Sequence, residues 1–205
     1  MIFDMKKALV ILILFPMLIS FNSYGGSSDK TVCVKTYAQI INDIIYLPKE
    51  TKPFTGKNLC EYENGQIKSK GNIKDGIKDG KWTYWAKNGQ IEAEAIFKDG
   101  KEVSGTIYAY HDNSQIKSEI NFKDGKPDGK ATYWFENSQI EKKGDLKDGK
   151  FDGKWTWWFE NGQKLREINF KNGKPDGKWT DWLKNGQIEK EAIFKNGKCI
   201  SGDCD

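Results

Sequence analysis

From Lys57 to the C-terminus the chain repeats itself about every 24 residues, and that period limits what it can fold into. The clearest copies occupy residues 79–100, 128–149, 152–173 and 176–197, each running from Asp-Gly-Lys through an aromatic segment to Asn-(Gly/Ser)-Gln and a closing Asp-Gly or Asn-Gly. A glutamine opens the second half of each unit, at Gln66, Gln90, Gln115, Gln139, Gln163 and Gln187; four intervals are 24 residues and one is 25. A unit this short is one supersecondary element whose apolar face cannot be buried within itself. Units must therefore stack on one another into an elongated array.

Each unit reads as two short strands. In the fullest copy the first is Trp155-Thr156-Trp157-Trp158-Phe159, aromatic and β-branched residues that suit a half-buried pleated surface. An Asn-Gly pair follows at Asn64-Gly65, Asn88-Gly89, Asn161-Gly162 and Asn185-Gly186, and predicts a tight hairpin in which both residues take positive φ. Serine replaces the glycine at Ser114 and Ser138, which weakens the turn there. The second strand runs from Gln163 to Phe170, and Lys171 to Lys178 reads as a second, glycine-bracketed turn that includes Pro175.

Alternation assigns faces. The third position of the first strand (Tyr84, Tyr108, Tyr133, Trp157 and Asp181) supplies the candidate contact residues, with core packing as the competing role. The fourth position is Trp85, Trp134, Trp158 and Trp182, with Ala109 breaking the row. In the second strand, Gly71, Ala95, Ile120, Gly144, Ile168 and Ala192 share one place; the small residues among them leave room for a neighbouring ring. The fold expected is all-β: an elongated array of stacked antiparallel β-hairpins in one twisted sheet.

The flanks differ from the repeats. Met5-Lys6-Lys7, the apolar run Ala8–Ile19 and a polar stretch with small residues have the layout of a secretory signal peptide, assigned to residues 1–25; an uncleaved anchor is the alternative. Residues 26–53 are expected to cap the array. Within them Gln39–Leu47 reads as a hairpin around Asn42-Asp43 or, in competition, a short amphipathic helix. Six units fill 54–197, and 198–205 form a C-terminal tail. The four cysteines lie at the two ends of the array and fit an exported chain. Three pairings are open; Cys33–Cys60 with Cys199–Cys204 is favoured because each bridge would staple one end.

The formal net charge is +4, and loss of Lys6, Lys7 and Asp4 with the signal brings it closer to neutral. Lysines alternate with acids instead of clustering, and Arg166 is the sole arginine, which argues against a nucleic-acid or anionic-membrane footprint. Catalytic motifs are absent, and His111 is the sole histidine. The cysteine spacing does not suit zinc, and the Asp-Gly turns lack calcium-loop spacing, so neither cofactor nor metal is expected.

The opening Pro53-Phe54-Thr55-Gly56-Lys57, the strand Trp82-Thr83-Tyr84-Trp85, the turn Asn88-Gly89-Gln90 and the closing Phe97-Lys98-Asp99-Gly100 resemble the bacterial MORN-repeat variant family. The resemblance implies a β-hairpin array. It also implies kinship with YwqK-type antitoxin-like proteins, which bind and neutralise a partner toxin; for an exported chain this would mean immunity in the periplasm. The function expected is an exported, non-catalytic module that binds a protein. The alternative is a glycan- or cell-wall-binding surface protein, which would need open, regularly spaced rings at the fourth strand position.

Overall fold

The computed structural model describes residues 30–204. The signal peptide expected at residues 1–25 lies outside them. A short cap comes first: β1 (Thr31–Val32), a single helical turn α1 (Val34–Tyr37), and a hairpin of β2 (Gln39–Ile41) and β3 (Ile44–Tyr46). Six hairpins follow: β4 (Gly56–Glu61) with β5 (Ile67–Lys74), β6 (Ile77–Trp85) with β7 (Ile91–Lys98), β8 (Lys101–Tyr110) with β9 (Ile116–Lys123), β10 (Lys126–Trp134) with β11 (Ile140–Lys147), β12 (Lys150–Trp158) with β13 (Lys164–Lys171), and β14 (Lys174–Trp182) with β15 (Ile188–Lys195). A last strand, β16 (Lys198–Gly202), closes the chain. Strands β4 to β16 pair antiparallel in sequence order, and β1 joins β4 in parallel, giving one 14-stranded sheet. At about 4.8 Å per strand the sheet is roughly 60 Å long.

Two kinds of turn alternate, and their chemistry is the reverse of the sequence expectation. At Tyr62–Gln66 the Gly65 amide donates to the Tyr62 carbonyl and the Tyr62 amide to the Gln66 carbonyl. Gly65 alone has positive φ, 79°; Asn64 does not. The asparagine instead turns its Oδ1 back to the Gln66 amide, 3.2 Å away. This is a three-residue loop with a glycine bulge, favoured by the side-chain turn that asparagine supplies. The two-residue turns with both φ positive are the links between units: Asp75-Gly76, Asp99-Gly100, Asp124-Gly125, Asp148-Gly149, Asn172-Gly173 and Asn196-Gly197. The long turn expected at 171–178 thus shrinks to two residues, and Pro175-Asp176-Gly177 lies inside β14. There it makes a bulge: Phe170 pairs with Pro175 but Ile168 pairs with Trp179, so β14 carries two residues more than its partner.

Alternation then divides the sheet into a core face and a threonine face. On the core face Trp155 lies over Gly144, where an added Cβ would come 2.5 Å from the indole. The Trp155 Nε1–H donates to the Asp145 carbonyl at 2.8 Å, and Phe151 stacks on the same ring with centroids 3.9 Å apart. Trp155 is fully buried, although the sheet has no second layer. Trp82 repeats the arrangement over Gly71, with its Nε1–H on the Asn72 carbonyl. Opposite Trp179 of the last unit, Ile168 of β13 stands where the glycine would be. Its side chain keeps Trp179 off the backbone, and the ring stacks on Phe194 at 5.0 Å and is only half-buried.

The cap hairpin forms as a hairpin, with Asn42 and Asp43 both at positive φ, and not as a helix. Ile45 and Leu47 join Phe54, Ile73 and Trp82 in one buried cluster. Backbone bonds from Ile45 N–H to the Gly76 carbonyl and from Phe54 N–H to the Ile45 carbonyl fix it there. The disulfides are Cys33–Cys60, tying the cap to β4, and Cys199–Cys204 in the tail. Among the described residues no helix is long and apolar enough to cross a membrane.

Two outcomes check this account. Ser138 holds φ 65° without being glycine. Replacing it with glycine is expected to stabilise the fold by about 1 kcal/mol, read as a raised midpoint in denaturant. Gly144→Ala is expected to cost about 1–3 kcal/mol and to raise the solvent accessibility of tryptophan, measured by quenching, because Trp155 has no free place to move to.

Candidate functional site

The candidate contact residues do not all fall on one face. Tyr84, Tyr133, Trp157 and Asp181 occupy equivalent places on the core face, each two residues after the first-position residue of its strand. Tyr108 does not. It pairs with Glu119 and occupies the row of Thr132, Thr156 and Thr180 on the threonine face. The residue equivalent to Tyr84 in that unit is Ala109, paired with Ser118, and the fourth-position ring is Tyr110, paired with Ile116. The fourth-position row is therefore unbroken. The single 25-residue interval caused the misplacement, and counting back from Asn113 would have found it: Tyr110 is three residues before Asn113, as Trp85 is before Asn88.

The same unit shifts the register of the sheet. Strand β8 lacks the Asp-Gly-Lys bulge. Phe97 pairs with Glu102 and Ile96 with Ser104, one extra residue instead of two. As a result the row through Ala93 runs on through Ile107 and Ile120 to Ala131, the first position of β10. Tyr84 lies on the near side of this step. Beyond it, a straight row crosses the sheet: Tyr133, Lys142, Trp157, Arg166, Asp181 and Lys190 are successive cross-strand partners. Sequence reasoning missed the three basic residues of this row. Their signal was present, since each follows the repeat glutamine by three positions.

Rings and cations in the row are matched. Lys142 Nζ lies 4.4 Å from the Tyr133 ring centroid, and the Arg166 guanidinium 4.8 Å from that of Trp179. Arg166 also grips Asp181 with two bonds, Nε to Oδ1 at 2.6 Å and Nη2 to Oδ2 at 2.9 Å. The Trp179 Nε1–H donates to the same Oδ1 at 2.9 Å. The hydrogen bond to Asp181 raises the Arg166 pKa above its ordinary value. Asp181 is buried and its carboxylate is fully engaged, so its part is to hold Arg166, whose side chain is 40% exposed. Trp157 packs edge-on to Phe151 and tilted against Phe170, and it remains half-buried. Burial pushes the Tyr133 hydroxyl pKa up, with Glu141 adding to the effect.

The threonine face has its own cover. Lysine–glutamate pairs cross it at Lys81–Glu94, Lys154–Glu167 and Lys178–Glu191. Burial pushes the Glu167 carboxyl up, but hydrogen bonds from Lys154 and Lys164 outweigh it and leave the pKa lowered. The fourth-position rings Trp85, Tyr110, Trp134, Trp158 and Trp182 are half-buried. Lys143 Nζ lies 5.4 Å from the Trp158 centroid and Lys164 Nζ 5.3 Å from that of Trp182. At the loop ends, units are tied to their neighbours. Asn113 and Asn137 donate to the Glu136 and Glu160 carbonyls, and His111 Nε2 donates to the Trp134 carbonyl at 2.8 Å. His111 is thereby placed as a link between units. Among the described residues no cluster of acids, histidines and cysteines could hold a metal ion.

Fold and surfaces together define an array of hairpin repeats that offers side-chain rows across a sheet. The MORN repeat variant matches at residues 54–75, 78–99, 104–124, 151–172 and 175–196, more than half of the chain, and the chain belongs to this family. The hairpin β10–β11 lies between the third and fourth matched segments and has the same architecture. Repeats of this family are non-catalytic modules that bind proteins or membranes. No similarity to a curated protein was found. The two disulfides point to an oxidising, exported environment.

The lowered carboxylates of Glu167, Asp176 and Glu191 fix the acid response. A carboxyl whose pKa is lower folded than unfolded contributes stability that is full above the unfolded value and lost as pH falls through the folded one. The melting midpoint is thus expected to hold above about pH 5 and to fall below about pH 4. Glu167→Gln should flatten part of that fall; an unchanged slope would remove Glu167 from the account.

Proposed function

We propose that this chain is an exported binding module that recognises a protein through the core face of its second half. The observation that carries the reading is the straight row Tyr133, Lys142, Trp157 and Arg166, which sets half-buried rings and cations alternately across four neighbouring strands. Tyrosine, tryptophan and arginine are the residues that dominate protein–protein contact energies, because each combines a large apolar surface with a directional polar group. At roughly 4.8 Å per strand the row is about 14 Å long, and the flanking strands supply the rest of a patch of the usual interface size.

The resemblance to antitoxin-like chains suggests the particular use: immunity against a toxin that reaches the compartment where the disulfides form. Stacking on sugars is less well supported. It needs open ring faces at the fourth strand position, and Lys143 and Lys164 lie over Trp158 and Trp182 there. A membrane surface is disfavoured by the alternation of lysines with acids.

A photocrosslinking residue at position 142 of the disulfide-bonded protein tests the reading, with position 52 on the cap as control. A discrete protein is expected from the exported fraction at 142 and not at 52. That protein, once purified, should bind the chain directly, and Lys142→Glu should weaken binding about tenfold. Crosslinking at 142 that is absent, or that is abolished by soluble cell-wall glycan, would overturn it.

A further inference from the structure

On the threonine face lysine replaces the glutamate of the lysine–glutamate pattern in two units, β4–β5 with Lys57 and Lys70 and β10–β11 with Lys130 and Lys143. Leu59 pairs with Lys70 where Thr132 pairs with Lys143, so the second is the one with a threonine on either side. In three units the lysine of the Asp-Gly-Lys bulge meets a glutamate on the partner strand: Lys81 with Glu94 at 2.6 Å, Lys154 with Glu167 at 2.8 Å, and Lys178 with Glu191. In the unit β10–β11 the corresponding residues are Lys130 and Lys143. Both line a cleft at the place where three other units hold an ion pair, and among the described residues neither has a carboxylate within ion-pair distance. Thr132 and Thr156 pair with Lys143 from either side. Lys154 borders the same place from the next unit, although Glu167 already holds it. Together with Asp145 these residues line a shallow cleft of about 440 Å³. Asp145 pairs with Lys130 across the strands but makes no ion pair with it. Glu119, which pairs with Thr132 on its other side, makes none either.

From this geometry we infer a carboxylate-binding notch: Lys130 and Lys143, flanked by Thr132 and Thr156, receive an acidic side chain of a protein segment laid across the threonine face. The reasons are charge and donor supply. Three lysines line the cleft against one carboxylate, and an incoming carboxylate completes at Lys130 and Lys143 the pairing that a built-in glutamate completes in three other units. Thr132 and Thr156 line the same cleft and supply hydroxyl donors for its oxygens. Lys143 needs to give up only its position over the Trp158 ring, a contact worth about 0.5–1 kcal/mol at an exposed site. The choice of a peptide as ligand rests on the reading of the chain as a protein-binding module; the notch itself lies on the opposite face from the Tyr133–Arg166 row.

The test uses the intact disulfide-bonded protein and a fluorescein-labelled hexaglutamate peptide, followed by anisotropy at low ionic strength. Saturable binding is expected, weakened by added salt. Lys143→Glu installs the lysine–glutamate pair of the other units, so its thermal midpoint should equal or exceed that of the parent while its affinity for the peptide falls about tenfold. Lys74→Glu, on the exposed end of β5, should leave affinity within about twofold. Absence of saturable binding, or equal loss in both variants, would overturn the notch. Inorganic phosphate that binds Lys143-dependently while the peptide does not would overturn the peptide as its ligand. None of these results depends on the crosslinked partner, so either reading can fail while the other stands.

Discussion

A single layer of β-sheet has no second layer to bury its apolar face, and this protein meets that constraint by laying indole rings on its own backbone. The glycines at 71 and 144 are what permit it: without a Cβ, the strand surface is low enough for the ring of the next unit to lie flat, with its N–H on the adjacent carbonyl. Each such ring spans the boundary between two units, so the apolar burial that stabilises one hairpin is supplied by its neighbour. No unit can therefore be stable alone, which is the thermodynamic meaning of a repeat array. The last unit shows the dependence from the other side, since the isoleucine at 168 displaces Trp179 and leaves it partly wet.

Register follows from the turns. The two-residue Asp-Gly and Asn-Gly links fix how far each strand is offset from the next, and the Asp-Gly-Lys bulge adds two residues after four of the six links; after Asp99-Gly100 and Asn196-Gly197 one residue is added instead. Loss of that bulge in β8, together with one extra residue before the loop, steps the rows by one pleat repeat. The consequence reaches function. Tyr84 and Tyr133 share a face and a position in their hairpins, yet they do not share a row. The continuous row of rings and cations belongs to the second half of the sheet.

Much of this was legible in residue order. The hairpin array, the hairpin at Asn42-Asp43, the bridges at both ends and the places of Trp157 and Asp181 follow from spacing, alternation and turn chemistry. Less was legible in the third unit, where the bulge is one residue short and the stretch from turn to loop one residue longer, so the rows step by two residues although the interval grows by only one, and Tyr108 was placed on the wrong face. The engagement of Asp181 was hidden for a different reason. Its partner Arg166 is 15 residues away, and nothing local marks that pair as facing each other.

The amino-acid order alone determined that the units are hairpins and that they must stack, because a 24-residue period with one aromatic strand leaves apolar area that only a copy of itself can cover. Tertiary structure alone decided which side chains become neighbours across the units. Cross-strand neighbours are set by the cumulative offset of every turn and bulge between them, and a shift of one residue in any of these exchanges one face of the strand for the other.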